Sequence, residues 1–262
     1  MANIPRLPRP GDDWNQNDLR SYDIRLEFQD TQTFFGDTNL PESSIQQDFL
    51  TALCAKDTAN DESYNLLVQA ACAKSLDPSE PSNVVVDFTV SLLHSVGYIR
   101  RPRYIQTRVA QPFYCCHEEE EETIHNDVCV IDNTTGRTVL IVQEAQSQPS
   151  RADPHARLVI AAIAAFQMHN WIRSSMVLPK LDSMVIPGII MLFSTPSFFK
   201  IPVTRDLAEC VRNGQFPSAP TIVAGHVPKI PIPIGRFTEG MVNLDNRRIF
   251  LQCFEAFKKF LV

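Results

Sequence analysis

Two carboxylates stand where strand-forming residues should exclude them. Asp127 opens the apolar run Val128–Ile131, and Glu144 follows the run Val139–Val142. The turn residues Asn133–Gly136 between the runs predict a β-hairpin, which places Asp127 and Glu144 at the same end. An unpaired carboxylate is costly to bury, so such a group is normally ion-paired, bound to a metal or neutralised. Two of them at one hairpin end form a donor set suited to a hard divalent cation. Ala145 offers a backbone carbonyl as a further ligand, and Gln146 faces the same way as Glu144 if the strand continues.

Register decides whether the carboxylates meet. If Asn133 pairs with Thr138, Asp127 falls opposite Glu144 and both side chains share a face. If Asp132 pairs with Thr138, Asp127 falls opposite Gln143 and the carboxylates point to opposite faces. Metal chemistry requires the first arrangement, and the sequence leaves both open.

The order Asp127, hairpin, Glu144-Ala145-Gln146 resembles the core of the PD-(D/E)xK nuclease superfamily, over roughly residues 82–203. The resemblance implies an α/β fold of αβββαβ order, with a central mixed sheet flanked by helices (restriction-endonuclease-like). It implies Mg2+ or Mn2+ held by Asp127 and Glu144, with the Ala145 carbonyl and Asp87 of the preceding helix as further ligands. Gln146 then takes the place of the usual lysine and orients the attacking water without supplying a positive charge. No proline precedes Asp127. The implied activity is phosphodiester hydrolysis of DNA or RNA. The missing lysine supports the alternative, an inactive nuclease-fold protein serving binding or assembly. The chain is also similar to a family of intracellular proteins from mushroom-forming fungi with which no activity travels. The matching segments are Leu140–Glu144, Ile160–Phe166, Leu181–Gly188, Phe199–Val203 and Asn243–Arg248.

Composition narrows the remaining classes. The chain has 262 residues, with 44% hydrophobic and 21% charged residues, in the ordinary globular range. No apolar run is long enough to span a membrane, and Met1–Pro10 contains no signal-like apolar core, so an intracellular protein, cytoplasmic or nuclear, is expected. The seven cysteines are irregularly spaced and include no CxxC pair, which argues against a zinc site or a disulfide framework. GxGxxG, GKS/GKT, GxSxG and HExxH motifs are absent. A net charge of −6 argues against a broadly basic surface. A local nucleic-acid contact remains open at Arg100, Arg101, Arg103 and Arg108, with Tyr98 and Tyr104 as stacking surfaces; the alternative is a solvated loop and edge strand.

The elements that must position these residues follow from periodicity. Residues 1–20 read as a loose arm, and residues 21–80 as a mainly helical extension with a short strand near 22–36 and helices over Glu42–Lys56 and Glu62–Ser75. The core, 81–262, begins with a helix over Ser82–Val96 closed by Gly97. Two strands are expected within Gln106–Cys116, then a solvated acidic loop, Glu118–Glu122, and the hairpin. Asp153-Pro154 starts a helix running to Ser174, in which Gln167 or His169 could face the cleft. Ile189–Phe193 reads as a buried central strand with Phe198–Val203 beside it. Lys200 on that neighbour is either an edge-strand residue or a relocated catalytic lysine. Residues 215–237 read as a proline-rich wrap and Leu244–Val262 as a closing helix. Cys115 and Cys116 point to opposite sides if they lie in a strand. A thiol titration under denaturing conditions should count seven free thiols; a stable native disulfide would contradict this.

Overall fold

The computed structural model describes residues 11–74, 83–116, 122–145, 153–231 and 239–261. The N-terminal part comprises α1 (Gln16–Ser21), β1 (Ile24–Phe28), α2 (Thr31–Phe35), α3 (Gln47–Thr51) and α4 (Asp61–Lys74). Next come α5 (Val84–Ser95), β2 (Arg103–Phe113), β3 (Glu122–Asp132), β4 (Arg137–Glu144) and α6 (Pro154–Ser175). The chain then forms β5 (Ser183–Leu192), β6 (Thr195–Thr204), α7 (Arg205–Arg212), β7 (Thr221–His226) and α8 (Leu244–Phe257).

Among the described residues the strands form one mixed sheet in the order β1-β7-β6-β5-β4-β3-β2. The meander β2-β3-β4 is antiparallel, β4 and β5 are parallel across the α6 crossover, and β5-β6-β7 is antiparallel. The fold class is therefore α/β, with helices on both faces of the sheet. On one face Ile141, Ile190 and Ile201 pack with the buried side of α6. On the other, Val128, Val142 and Ile189 pack with α4, α5 and α8.

Local sequence explains the main helix. Asp153 accepts the His155 N–H, and Pro154 occupies the first turn, where it has no intrahelical partner to lose. Residues Leu158–Phe166 are all buried. The alanines keep the helix narrow, and Gly188 on β5 lets it approach: a Cβ there would lie 2.8 Å from Leu158 Cδ2. Gly97 adopts φ +75 just past α5, the left-handed stop expected from the sequence.

Several expectations are corrected. The loose arm does not extend to residue 20, because Trp14 and Leu19 are buried and Trp14 stacks on Tyr22 at 5.5 Å; residues 1–10 lie outside the described region. The extension does more than add helices, since β1 pairs with β7 at the sheet edge. The helix expected over Glu42–Lys56 shrinks to α3 and a 3-10 turn, Ala55–Asp57. There the Asp48 carboxylate accepts the N–H groups of Ala59 and Asn60 and folds the following loop back. Gln106–Cys116 holds one strand rather than two, because Arg108 at φ +52 kinks the strand without turning it. The proline-rich stretch contains β7, and α7 follows β6 where no helix was expected. Lys200 lies on an interior strand, with Nζ donating to the Phe34 carbonyl at 2.8 Å and sitting 4.4 Å from that ring. It is a tie between β6 and α2. Cys115 and Cys116 fall after β2, with sulfurs 3.5 Å apart rather than on opposite sides; all seven cysteines are free.

The helical layer is fastened by Arg247 on α8, which is fully buried. Its guanidinium donates to the carbonyls of Met241 (2.7 Å), Phe49 (2.6 Å), Ala52 (2.9 Å) and Val242 (3.0 Å), and lies over the Phe49 ring. Two of these carbonyls lie at the end of α3, where helical acceptors lack intrahelical donors. Burial, aided by Arg248, lowers the Arg247 pKa to about 10, which leaves it charged at neutral pH. Arg247→Met should cost at least about 2 kcal/mol, because it strands buried carbonyls while preserving volume. Urea unfolding checks this, and an unchanged midpoint would show that the carbonyls find water instead.

Candidate functional site

The hairpin forms as expected, with a register that neither turn pairing describes alone. Near the turn, Asp132 pairs with Arg137 and Ile131 with Thr138. Beyond it, Val130 pairs with Leu140 and Val128 with Val142. Val139 is the extra residue of a bulge, and accordingly Val139 and Leu140, though adjacent, join the same apolar cluster. Continued along the strands, this register sets Asp127 opposite Gln143 and Asn126 opposite Glu144. At this end of the hairpin the ladder follows the second of the two registers, in which strand alternation turns the two carboxylates to opposite faces, and the Asp127–Glu144 pairing that metal chemistry was expected to need is not made.

The two residues nevertheless touch. Asp127 Oδ2 accepts the backbone N–H of Glu144 at 2.7 Å. A change of side at this point of the sheet accompanies the contact. Ile124 packs on the α6 face, whereas Val128 and Val130, of the same alternation, pack on the other. In β2, Ile105 and Val109 change sides likewise, on either side of the left-handed Arg108.

Arg157, in the first turn of α6, completes the cluster. Its guanidinium lies 3.8 Å from Asp127 Oδ2 and donates to the His125 carbonyl at 3.4 Å. The Glu144 pKa is raised to about 7, first by burial and then by the Asp127 charge, with Arg157 pulling the other way. Beneath the cluster runs a buried amide chain: Gln143 Nε2 donates to Asn126 Oδ1 at 3.0 Å, and Asn126 Nδ2 to Gln111 Oε1 at 3.0 Å. Gln143 Oε1 is buried without a partner among the described residues.

The other candidates fall in several places. Gln146 lies outside the described residues, as do His117 and Glu118–Glu121; Glu122 begins β3. Ala145 is at the end of β4, its N–H donated to the Met191 carbonyl at 2.8 Å. Asp87 is exposed on α5, whose apolar side packs on the sheet face opposite α6. Arg100, Arg101 and Arg108 are exposed, while Arg103 donates to the Leu261 carbonyl. Tyr104 is exposed, but Tyr98 is buried with its hydroxyl on the Phe254 carbonyl at 2.7 Å, which removes it as a stacking surface. Gln167 is spent on the backbone N–H and carbonyl of Tyr114. Among the described residues no group of three or more His, Cys, Asp or Glu side chains could hold a metal ion, so a cation here would rely on the two carboxylates, backbone and water.

Sequence reasoning missed Arg157, Asn126 and Gln143. Arg157 lies three residues after Pro154, so its place in the first turn was readable, but its proximity to Asp127 depends on how α6 crosses the sheet. Among the described residues no helix is long and apolar enough to cross a membrane. Compared with known proteins, the chain matches no protein-family model and no curated protein.

Because folding raises the Glu144 pKa, its ionisation opposes folding. Stability from this group is full below the ordinary carboxylate range and is lost as pH rises through about 7. Glu144→Gln should therefore raise the melting temperature by about 2 °C or more at alkaline pH and have little effect in acid. Thermal melts across the pH range check this; equal shifts at both ends would contradict it.

Proposed function

We propose that this chain is a divalent-metal-dependent phosphodiesterase of PD-(D/E)xK type, acting on DNA or RNA. The observation that carries the reading is the contact of the Asp127 carboxylate with the Glu144 backbone N–H at one half-buried hairpin end, where burial and the Asp127 charge raise the Glu144 pKa to about 7. The run α5-β2-β3-β4-α6-β5 has the αβββαβ order that the resemblance implies, which supports the same reading. In this reading Asp127 and the ionised Glu144, with the Ala145 carbonyl, hold Mg2+ or Mn2+. The bound ion would polarise a phosphate and lower the pKa of a coordinated water.

The protein groups supply the rest. Arg157 steadies Asp127 and balances part of the negative charge, and the Asp127 contact to the Glu144 N–H fixes the end of β4. Gln146 would orient the attacking water through a hydrogen bond but cannot offset charge as a lysine would. Arg108, beside Asp127 in the β2–β3 register, offers an exposed cation for a substrate phosphate, whereas Arg100, Arg101 and the exposed Tyr104 lie toward the turn end of the hairpin, where Arg103 pairs with Asp132, and would meet the substrate only farther along. Asp87, exposed on α5 across the sheet from α6, is left out of this ligand set.

A specific observation also favours a second reading, a nuclease-fold protein that binds without cleaving. Arg157 already neutralises part of the acidic pair, so the pair can exist as a structural ion cluster without metal.

Incubating the purified protein with single- and double-stranded DNA and RNA, in Mg2+ and in Mn2+, separates the two. Metal-dependent cleavage lost in Asp127→Asn and Glu144→Ala, with the fold retained by circular dichroism, is the expected result. Gln146→Lys should raise the rate by restoring a cation beside the water. If wild type cuts nothing, or the carboxylate variants cut as well as wild type, the enzymatic reading fails and the binding reading stands.

A further inference from the structure

The far end of α6 carries a second constellation. A cavity of about 440 Å³ opens between the β3–β4 turn and the C-terminal half of the helix. From Arg157 to His169 the helix rises about 18 Å, so this cavity lies well away from the Asp127–Glu144 end. Its polar side holds Arg137, His169 and Arg173, with Thr134 and Thr135 of the turn. Its apolar side is built by Ile172, Met176, Leu178 and Leu181.

These polar groups have more donors than acceptors. His169 is only 6% exposed, and its Nδ1 is buried with no hydrogen-bond partner among the described residues. The guanidinium of Arg137 is half-buried and makes no hydrogen bond among the described residues, although the Asp132 charge acts on it favourably and that of Arg103 unfavourably. Arg173 uses only Nε, on the Pro179 carbonyl at 2.7 Å. Asp132 already accepts the N–H groups of Thr134 and Thr135 and the Thr134 hydroxyl. Among the described residues no carboxylate lines the cavity. Burial holds the His169 pKa below its ordinary value, and the charges of Arg137 and Arg173 push it further down. Three cationic or potentially cationic groups thus converge on one space, with Asp132 beside Arg137 as the acid that acts on them.

We infer that this cavity is a binding site for a small organic anion, a carboxylate or phosphate monoester carrying a short apolar body. The anionic head would accept hydrogen bonds from Arg137, Arg173 and the His169 ring, and the body would lie on Ile172, Met176, Leu178 and Leu181. Arginine suits either head, because its planar fork matches carboxylate and phosphate oxygens alike. The volume fits a ligand the size of a substituted benzene ring with its head group, at the lower end of small-molecule sites. This inference is independent of the nuclease reading.

The test is a titration of the full chain with phenyl phosphate, benzoate, inorganic phosphate and benzyl alcohol, followed by calorimetry and by the ring NMR signal of His169, assigned through its loss in His169→Gln. At least one of the two aromatic anions should bind, move the His169 signal and raise the pKa of that ring. Benzyl alcohol and inorganic phosphate should each bind at least about tenfold more weakly, since one lacks the charge and the other the apolar body. Arg173→Gln, on a partly exposed side chain, should weaken binding by about tenfold, and Arg137→Gln by at least as much. Arg173→Gln decides the matter alone if Arg137→Gln does not fold. A His169 signal unmoved by both aromatic anions at about 10 mM, roughly the weak limit of specific binding, would overturn the proposal. So would equal affinity for benzyl alcohol or inorganic phosphate, or undiminished binding by Arg173→Gln.

Discussion

The single extra residue at Val139 governs the chemistry at the other end of the hairpin. Without the bulge, the turn pairing of Ile131 with Thr138 would continue along the ladder and bring every later residue of β4 to the opposite face. With it, Val128 meets Val142, the apolar side chains reach the two helical layers, and Asn126 meets Gln143 through its amide. Asp127 is left beside the last turn of the ladder, where its carboxylate rather than a backbone carbonyl receives the Glu144 N–H. The site is a consequence of how one strand was made to fit.

That arrangement is electrostatically unsatisfied in a useful way. Asp127 has a backbone donor in the Glu144 N–H and a guanidinium, that of Arg157, 3.8 Å away. Burial and the Asp127 charge raise the Glu144 pKa to about 7, with Arg157 opposing them. The buried amides of Gln111, Asn126 and Gln143 give this end of the sheet a polar floor, which apolar strands could not supply.

The helices on the opposite face serve this site indirectly. Their apolar sides cover Val128, Val142 and Ile189, so the sheet is buried on both faces beneath the hairpin. Arg247 ties α8 to the end of α3 by two of its four carbonyl hydrogen bonds and to the turn before α8 by the other two, and Lys200 ties β6 to α2. Both lysine and arginine here replace missing helical or loop donors, which explains cations in a layer that otherwise excludes charge.

The amino-acid sequence alone determined the hairpin, the capped and alanine-rich α6, the Gly97 stop and the central strand near Ile189, because each depends on residues close together in the chain. Apolar period, turn chemistry and caps are local properties. It also placed Asp127 and Glu144 at one end of the hairpin. What it left open was decided by tertiary structure. Register depended on a bulge that no turn residue announces, since Val139 looks like any strand valine. Arg157 joined the acidic pair only because α6 crosses back over β4. Tyr98, Lys200 and Arg103 were drawn into packing by carbonyls contributed by Phe254, Phe34 and Leu261, more than a hundred residues away in each case. The burial that raises the Glu144 pKa is likewise a property of the assembled sheet and helices, because desolvation is set by everything that surrounds a group in space.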